Sequence, residues 1–357
     1  MQKIKTNHYD IFLSNQNSSL INELISINKY SKVFILVDSN TKKCCLKLFL
    51  KKHLSEIKIE LITIKNGEEN KNTKNLYSVW IKISKLGGDR NSLLINLGGG
   101  LVSDLGGFVA STYNRGIDFV NVPTTLLSMV DASIGGKVGI NINKLKNQVG
   151  VFNYPKLILI DTSFLETLPK RELNSGFAEM IKHGLIFEKK YYEMLSELKY
   201  IDSKLSTELI YNSIKIKNEI VKNDPKEKNL RKILNLGHTF AHAYESTLNY
   251  SKKLNHGEAV ILGIKSATKF SFQNNIINKK DYKQIINHID DLNISTDLNN
   301  YFKKKDINIL IKYMKSDKKN NSSKINLILI KSIGKILIEM KFDELKIRKF
   351  FVNELIY

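Results

Sequence analysis

Short apolar runs alternate with longer amphipathic segments through the first half of the chain. Runs of this length that are rich in β-branched residues are typical of buried strands. The predicted strands cover 31–38, 57–65, 93–97, 119–122 and 157–161. The segments between them predict helices over 41–53, 73–86 and 104–113. Strands that alternate with helices favour a mainly parallel sheet with right-handed crossovers.

The pattern changes after Pro169, where segments of 3.6-residue period dominate. They predict helices over 172–187, 190–198, 205–222, 239–248 and 258–274. Two apolar runs, 325–330 and 336–338, flank a turn at Gly334 and indicate a short hairpin. We therefore expect an α/β, Rossmann-like N-terminal domain over 1–169 with a mainly parallel sheet. A mostly α-helical domain is expected over 170–357.

Polar and glycine residues follow several of the predicted strands. Asp38, Glu68, the segment 98–104 and the pair Thr124 and Thr125 all fall at such ends. Ligands of parallel sheets bind beyond the carboxyl ends of the strands. A glycine turn that leads into a helix can hold an anion such as a pyrophosphate, because the first helical N–H groups are free. The GGGxxxD run does not match the GxGxxG fingerprint of dinucleotide-binding proteins. The prediction of a ligand site therefore depends on the common position of all these residues at strand ends.

Asp38 admits two interpretations. An acidic residue at a strand end can hold the ribose hydroxyls of a dinucleotide. Asp38 can equally cap the helix that follows it, since Asp, Ser and Asn are all good N-cap residues. The sequence leaves both roles open.

The amino-acid composition limits which classes of protein the chain can belong to. The chain has 357 residues, of which 42% are hydrophobic, enough for two domain cores. No apolar run approaches the roughly 20 residues that span a bilayer, and the N-terminal segment lacks a signal-peptide core. The two cysteines, Cys44 and Cys45, are adjacent and form no disulfide framework. We therefore expect a cytoplasmic protein with no membrane partner.

The net charge of +21 raises the question of nucleic-acid binding. Lysine is scattered along the whole chain, without a basic stripe interleaved with aromatic residues. No nucleic-acid motif is present. We expect no nucleic-acid partner.

Histidines and a glutamate suggest a metal site. His238 and His242 are four residues apart in LNLGHTFAHAYE, Glu179 and His183 are four apart in AEMIKHG, and His256 precedes a predicted helix. A catalytic zinc takes about three protein ligands, often two histidines and a carboxylate. A local set would combine His238 and His242 with one other residue. A dispersed set would combine Glu179, His238 and His256 and leave His242 to move protons. Spacing alone does not decide between them.

Several longer segments carry a resemblance to a known family. They are LGGGLVSDLGGFVASTYNRG, VPTTLLSMVDASIGGKVGIN, KNQVGVFNYP, FLETLPKRELNSGFAEMIKHG, RKILNLGHTFAHAYE and LNHGEAV. In this order they cover roughly residues 30–265, and the chain resembles the 3-dehydroquinate synthase family. Glycerol-dehydrogenase-like enzymes share the glycine turn and metal histidines but not VDASIGGK or KNQVG.

The resemblance implies a reaction and its cofactors. The substrate is 3-deoxy-D-arabino-heptulosonate 7-phosphate, and the products are 3-dehydroquinate and phosphate, in the shikimate pathway. NAD⁺ is reduced and reoxidised in each turnover, so the enzyme is a carbon–oxygen lyase. A divalent metal is also implied, usually zinc, with cobalt as an alternative.

The resemblance also assigns residues, carried over by matching motifs. The implied metal ligands are Glu179, His238 and His256. The implied nucleotide set is Asp38, Asn40, Glu68, Lys71, Gly99, Gly100, Asp104, Thr124, Thr125, Lys137, Lys146, Thr167, Leu168 and Glu172. The implied catalytic and substrate set is Asp131, Lys137, Lys146, Asn147, Lys182, Lys217, Arg231, Asn235, His242 and Arg115, together with Lys318 or Lys319. Arg115 matches an arginine that reaches the phosphate site of a partner subunit, which implies a homodimer.

One position departs from the family pattern. The usual segment is GHTFGHA, and Ala241 stands here in place of the second glycine. We expect an active enzyme, because Ala is favoured over Gly in a helix by about 1 kcal/mol. Two other enzyme classes stay open: a related sugar-phosphate cyclase that takes a different sugar, and an NAD-dependent polyol dehydrogenase. A non-enzymatic binding protein is a third alternative.

Overall fold

The computed structural model describes residues 1–14, 16–54, 57–142, 145–198, 201–292, 294–315 and 324–356. The chain divides into two compact units. Unit 1 comprises 1–169 and 203–226, and unit 2 comprises 170–202 and 227–357. Within the described ranges, no helix combines the length and the apolar character needed to cross a membrane.

Unit 1 is built on a seven-stranded sheet. Its strands are β1 Gln2–Lys5, β2 Asp10–Ser14, β3 Lys32–Asp38, β4 Glu60–Ile64, β5 Ser92–Gly98, β6 Asp118–Pro123 and β9 Leu157–Asp161. The order across the sheet is β1-β2-β9-β6-β5-β3-β4. Only the edge pair β1–β2 is antiparallel, and the other pairs are parallel. The predicted mainly parallel sheet is confirmed.

Helices and a separate hairpin complete unit 1. The helices are α1 Leu20–Asn28, α2 Ser39–Cys44, α3 Leu46–His53, α4 Thr73–Lys85, α5 Gly100–Thr112 and α8 Thr207–Asn223, and the hairpin pairs β7 Lys137–Ile142 with β8 Leu145–Phe152. Every residue of β5 is buried, which explains why its sequence is a continuous apolar run. One side of the sheet packs against α4 and α5 through Leu94, Val79 and Val109.

Unit 2 is mostly helical. Its helices are α6 Lys170–Phe187, α7 Lys189–Ser196, α9 His238–Thr247, α10 His256–Gln273, α11 Lys279–Asp291, α12 Ile307–Lys315 and α13 Glu344–Glu354, and its one described hairpin pairs β10 Ile325–Ser332 with β11 Lys335–Phe342. Aromatic rings hold the core together. Phe240 of α9 lies within 6.5 Å, centroid to centroid, of Phe270, Phe350 and Phe351. The predicted α-helical second half is therefore present.

The structure divides the chain differently from the single domain boundary predicted after residue 169. The prediction placed α8 in the second domain, whereas the structure clusters 203–226 with unit 1. Polar contacts explain the difference. Asn218 donates to the carbonyl oxygen of Lys5 at 3.1 Å, and Lys217 pairs with Asp131. A 3.6-residue period reveals that a segment is helical but not which core its buried face joins.

Two predicted helices also differ from the structure. The segment 41–53 was predicted as one helix, but the helix is interrupted at Cys45, which has a φ of −116° and lies between α2 and α3. The helix predicted over 104–113 begins earlier, at Gly100. Three glycines next to one another hide a helix start from propensity arguments, because glycine is a poor helix former.

Candidate active site

The carboxyl ends of the parallel strands in unit 1 bring most of the predicted nucleotide residues to one edge. Asp38 ends β3, Gly98 ends β5 and Thr124 follows β6. In-register pairing sets Gly98 opposite Pro123, and Thr124 N–H donates to the Gly98 carbonyl at 3.1 Å. The glycine turn and the threonine pair are therefore held side by side.

Gly99 is needed for space rather than for conformation. Its φ is −76°, which any residue adopts. A Cβ at this position would lie 3.0 Å from the Thr125 side chain. The turn thus packs closely against Thr125 while α5 starts with its first N–H groups unpaired within the helix. These features fit a pyrophosphate at the start of α5.

Asp38 caps α2. Its Oδ1 accepts hydrogen bonds from the N–H groups of Asn40 at 2.8 Å and Thr41 at 2.9 Å. The hydroxyl of Thr41 accepts in return from the Asp38 N–H at 2.9 Å. The capping role that the sequence left open is therefore present, and it holds Asn40 beside the end of β3.

A cluster of charges around the buried Lys71 lies next to this edge. Lys71 Nζ is 2.9 Å from Glu68 Oε1 and 3.1 Å from Asp104 Oδ2. Burial raises the pKa of Asp104 to about 6, although the neighbouring Lys71 lowers it. Burial also acts on Lys71, yet its two carboxylate neighbours raise the pKa of that ammonium above its usual range. All three predicted nucleotide residues thus form one ion-paired group.

Asn141 of β7 joins the cluster, although no sequence motif singled it out. Its side-chain amide donates to Glu68 Oε1 at 2.9 Å, and its N–H donates to the Lys71 carbonyl at 2.8 Å. Its Oδ1 accepts from the N–H of Asn147 at 2.9 Å. The hairpin that carries Lys137, Lys146 and Asn147 is therefore tied to the charge cluster. An asparagine in a strand gives no local signal of this role, because the partners are distant in sequence.

A second pair in unit 1 joins two predicted substrate residues. Lys217 of α8 has its Nζ 2.6 Å from Asp131 Oδ1. Asp131 lies in the short helical segment Ser128–Ala132, and Lys217 is 5% exposed. Because Lys217 is buried, the ion pair with Asp131 restricts the position of its ammonium group.

The other predicted residues of unit 1 occupy its surface or its turns. Arg115 is exposed and has a positive φ of 65°. Thr167 is exposed and Leu168 is half-buried, at the end of the turn that follows β9. Lys137 and Asn147 are exposed and Lys146 is half-buried. Lys318 and Lys319 fall outside the described residues.

Unit 2 brings together three predicted metal ligands from three helices. Glu179 Oε1 lies 3.7 Å from His238 Nε2 and 3.8 Å from His256 Nε2. One ligand atom from each residue lies within 4.8 Å of the other two. Glu179 is fully buried, and its Oε1 accepts no hydrogen bond from any described residue. A buried carboxylate oxygen without a donor is costly, so the arrangement fits a bound cation.

Neighbouring groups orient both histidines. Nδ1 of His238 lies 3.2 Å from the Leu236 carbonyl, and Nδ1 of His256 lies 3.3 Å from Glu245 Oε1. A proton on each Nδ1 satisfies these acceptors and leaves Nε2 with a lone pair toward Glu179. Burial, then Lys182 and the other histidines, holds the pKa of His238 well below its usual value, which keeps the ring neutral. Glu245 was not predicted, since a glutamate in a helix carries no distinguishing pattern.

Glycines explain why the three helices converge. A Cβ at Gly257 would lie 2.1 Å from Ser175 Cα, so α10 begins in direct contact with α6. A Cβ at Gly263 would lie 2.3 Å from the Gly237 carbonyl, so α9 also begins close against α10. Gly237 itself has a φ of 76°, which favours glycine. These contacts place His238, His256 and Glu179 on facing turns.

The remaining predicted residues of unit 2 surround this group or lie apart from it. Lys182 contacts Glu179 Oε2 and is 2% exposed, and the His242 ring lies 5.4 Å from that of His238. Arg231 is buried in the turn Leu230–Asn235, and Asn235 donates to Glu227 at 2.6 Å. Glu172 is exposed in the first turn of α6. Ala241 is fully buried in α9, so the departure from the glycine pattern is accommodated.

Comparisons with known proteins match both halves of the chain to one family. Residues 61–175 match the family model described as 3-dehydroquinate synthase N-terminal, and residues 176–320 match 3-dehydroquinate synthase C-terminal. The chain is 43% identical to the 3-dehydroquinate synthase of Pelagibacter ubique, over 99% of this chain and 98% of that protein. It is 39% identical to that of Campylobacter jejuni subsp. doylei, over 94% of both.

Solved structures share the fold. A 2-deoxy-scyllo-inosose synthase complexed with carbaglucose-6-phosphate, NAD⁺ and Co²⁺ aligns with a TM-score of 0.85 at 21% identity, over 99% of this chain and 100% of that one. The 2-epi-5-epi-valiolone synthase of Streptomyces hygroscopicus subsp. jinggangensis, with NAD⁺ and Zn²⁺ bound, aligns with a TM-score of 0.80 at 22% identity, over 99% and 98%. From the two family models and the relatives matched over nearly their whole length, the chain belongs to the 3-dehydroquinate synthase family.

Proposed function

We propose that the chain is a 3-dehydroquinate synthase, which converts 3-deoxy-D-arabino-heptulosonate 7-phosphate to 3-dehydroquinate and phosphate. The observation that carries the proposal is the group of Glu179, His238 and His256, whose ligand atoms all lie within 4.8 Å of one another. A contact at Nδ1 orients each of the two imidazole rings. The identity of 43% to a relative matched from end to end supports the same activity. The reaction belongs to the shikimate pathway, which leads to chorismate and the aromatic amino acids.

Three residues would hold the metal, and a separate set would hold the nucleotide. Zinc suits a site of two imidazoles and one carboxylate, and cobalt accepts the same ligands. When bound, the metal polarises a substrate hydroxyl and NAD⁺ accepts a hydride that it later returns, so the net redox change is nil. Related cyclases that contain NAD⁺ with Co²⁺ or Zn²⁺ support this pairing of cofactors.

The nucleotide set is assigned to the edge of the sheet in unit 1. The first N–H groups of α5 bind the pyrophosphate beside Gly99 and Gly100. Asp38 and Asn40 bind one ribose, where the cap on α2 keeps them in place. The paired charges of Lys71 and Asp104 stay ionised together, which makes this edge polar without a large net charge.

The substrate phosphate is assigned to cationic side chains. Charge-assisted hydrogen bonds to the phosphate dianion come from Lys146, Lys217 and Arg231, and from the partner subunit's Arg115. Asp131 holds Lys217 at 2.6 Å, so this ammonium is positioned before the substrate binds. We assign His242 to move the proton that accompanies the departing phosphate. The phosphate itself serves as the base that removes the proton from carbon. Elimination breaks the C–O bond to phosphate and forms a carbon–carbon double bond next to the transient ketone. Once that ketone has been reduced back, the released enol closes the ring.

A homodimer follows from the assigned role of Arg115. Support comes from the exposed apolar side chains on β8, which include Val149, Val151 and Phe152. An exposed strand with apolar side chains is unusual in a monomer, since it invites pairing with another chain. We also place the enzyme in the cytoplasm, where thiols such as Cys44 and Cys45 stay reduced.

Phosphate release from 3-deoxy-D-arabino-heptulosonate 7-phosphate tests the proposal. We expect release that requires both NAD⁺ and metal, that a chelator abolishes, and that leaves no net NADH. Release without NAD⁺ would contradict the transient oxidation. Stoichiometric accumulation of NADH with a polyol would instead identify a polyol dehydrogenase.

A second candidate is a related cyclase that acts on another sugar phosphate. The fold shared with 2-deoxy-scyllo-inosose synthase favours this alternative, although the identity is only 21%. Substrate screening with other sugar phosphates, such as glucose 6-phosphate, discriminates between the two. Turnover of another sugar phosphate, with none of the heptulosonate, would replace the proposed function.

A further inference from the structure

A buried charged cluster in unit 1 lies outside every residue set assigned so far. His53 Nε2 lies 2.8 Å from Asp161 Oδ2, and both side chains are fully buried. Lys52 Nζ lies 2.7 Å from the same oxygen. The other oxygen, Oδ1, accepts from the N–H of Ser163 at 3.0 Å and from its hydroxyl at 2.6 Å. Both oxygens of Asp161 are therefore fully used.

The cluster joins two segments that both carry predicted nucleotide residues. Asp161 ends β9 and caps the turn Thr162–Thr167, after which the chain reaches Leu168. His53 ends α3, the second of two helices that follow Asp38, and Asn40 lies in the first of them. One end of each segment thus contacts the other, although the two are more than 100 residues apart in sequence.

The order of the strands shows how far apart the two joined segments begin. Strands β3 and β9 are separated by β5 and β6, so their ends lie roughly 14 Å apart at the usual spacing between strands. The two helices α2 and α3 span that distance, from the end of β3 to the end of β9. The segment 39–53 therefore crosses the carboxyl ends of the strands to which the nucleotide is assigned.

Cys45 makes a second contact midway along this segment. It lies at the break between α2 and α3 and is 4% exposed, and the side chains of Thr124 and Thr167 lie close enough to its thiol to oppose the effect of burial on its pKa. Burial raises the pKa of the thiol to about 12, so it stays protonated and neutral. Both threonines belong to the nucleotide set. The break in the helix thus coincides with the point where the segment reaches them.

We propose that Asp161, His53 and Cys45 are positioning residues for NAD⁺: they hold the turn 162–168 and the end of β6 in the geometry that receives the nucleotide. Asp161 and His53 fix the start of the turn, and Cys45 fixes its end at Thr167. None of the three is assigned to contact the nucleotide itself. The inference rests on the proposed function, since it concerns the same nucleotide site.

The test compares NAD⁺ affinity across variants of the full chain, measured by isothermal titration calorimetry. Loss of a hydrogen bond to a charged group weakens a site that depends on it by about tenfold. We therefore expect His53→Ala and Asp161→Asn to raise the dissociation constant of NAD⁺ by about tenfold. His53→Gln keeps an N–H donor toward Asp161, so we expect it to restore most of the affinity.

His288→Ala provides the matched control. His288 is also a buried histidine with a hydrogen-bonded ring, but it lies in unit 2 against Tyr192. We expect it to lower the melting temperature while leaving the NAD⁺ dissociation constant unchanged. A merely structural role for His53 would give the same pattern, namely lower stability with unchanged affinity, and would overturn the inference.

Cys45 supplies a second pair of variants in case the charged cluster does not tolerate change. Cys45→Ala removes the contacts with both threonines, whereas Cys45→Ser keeps a hydrogen-bonding group of similar size. We expect a rise in the KM for NAD⁺ with Cys45→Ala, little change with Cys45→Ser, and an unchanged KM for the sugar phosphate in both. Equal NAD⁺ affinity in wild type and all folded variants would overturn the positioning role alone. Failure of the wild-type chain to bind NAD⁺ would overturn the proposed function as well.

Discussion

Glu245 Oε1 lies 3.3 Å from His256 Nδ1, on the side of the ring away from the nitrogen that approaches Glu179. Glu245 is 3% exposed, so its carboxylate has little access to water. A carboxylate behind a metal-binding histidine fixes the ring and makes its free nitrogen a stronger ligand. The pair therefore extends the candidate metal site beyond its three proposed ligands.

Removing the charge of Glu245 should weaken metal binding. We expect Glu245→Gln to lower the affinity for zinc by about 10- to 100-fold, the usual effect of changing such a supporting residue. Competition with a chromophoric chelator measures the affinity. Asp281→Asn is the control, because Asp281 is a buried carboxylate at the start of α11 and is not among the metal ligands. Equal zinc affinity in Glu245→Gln and wild type would contradict the role.

His256 and His242 should behave differently when replaced. We expect His256→Ala to lose bound metal and turnover while the fold is kept, because one of three ligands is gone. His242→Ala should keep stoichiometric metal but lose activity by about 10²- to 10⁴-fold, the contribution of a proton-transferring group. Metal analysis of both purified variants separates the two roles. Loss of metal from His242→Ala, with retention in His256→Ala, would favour the local ligand set.

The close start of α10 against α6 should not tolerate a larger residue. In Gly257→Ala the new Cβ would lie 2.1 Å from the Ser175 backbone, which forces the two helices apart. We expect lower metal affinity together with a loss of stability of about 1–3 kcal/mol, typical of overpacking. Zinc titration and urea unfolding measure the two effects. A stable variant with normal zinc affinity would show that the helix contact does not set the ligand geometry.

Asp161 should make stability depend on pH. Burial alone would raise its pKa, but the hydrogen bonds from His53, Lys52 and Ser163 outweigh burial and lower the pKa from its ordinary value of 3.8 to about 2. A carboxyl group whose pKa is lower in the folded state stabilises the fold above its ordinary pKa, and that contribution disappears as the pH falls toward 2. The contribution at neutral pH is about 2 kcal/mol.

The comparison with Asp161→Asn isolates this effect. We expect wild type to be more stable than the variant at pH 6 in urea unfolding, and the difference to shrink as the pH is lowered to 3. A difference that stays constant over this range would show that the charge of Asp161 does not contribute.

Arg115 should act across the proposed dimer interface. We expect Arg115→Ala and Lys146→Ala each to lose activity as homodimers, because each removes a cation from every phosphate site. If Arg115 serves the partner's site, mixed dimers contain one site with both cations, and some activity returns. Phosphate release from coexpressed, doubly tagged dimers measures this recovery. No recovery in verified mixed dimers would argue that Arg115 serves its own subunit.

The local pattern predicted most of the elements because their buried residues form either a continuous apolar run or a helical period. The strand 93–97 is a continuous apolar run, and all of β5 is buried. The predicted helix 172–187 matches α6, which begins two residues earlier. The two N-terminal strands were not predicted, because β1 has only one buried residue among four and β2 is only five residues long. The motifs from Gly98 to His256 were specific enough to indicate the family.

What the sequence by itself determined is the order of strands and helices, the glycine turn and the identity of the chemical groups. The tertiary structure alone decided that α8 joins unit 1 through Lys217, that Asn141 links Glu68 to Asn147, and that Glu245 supports His256. It also brings Glu179, His238 and His256, one of the sets that spacing left open, within reach of one another. The physical reason is that these relationships depend on contacts between distant segments, and close packing at residues such as Gly257 brings those segments together.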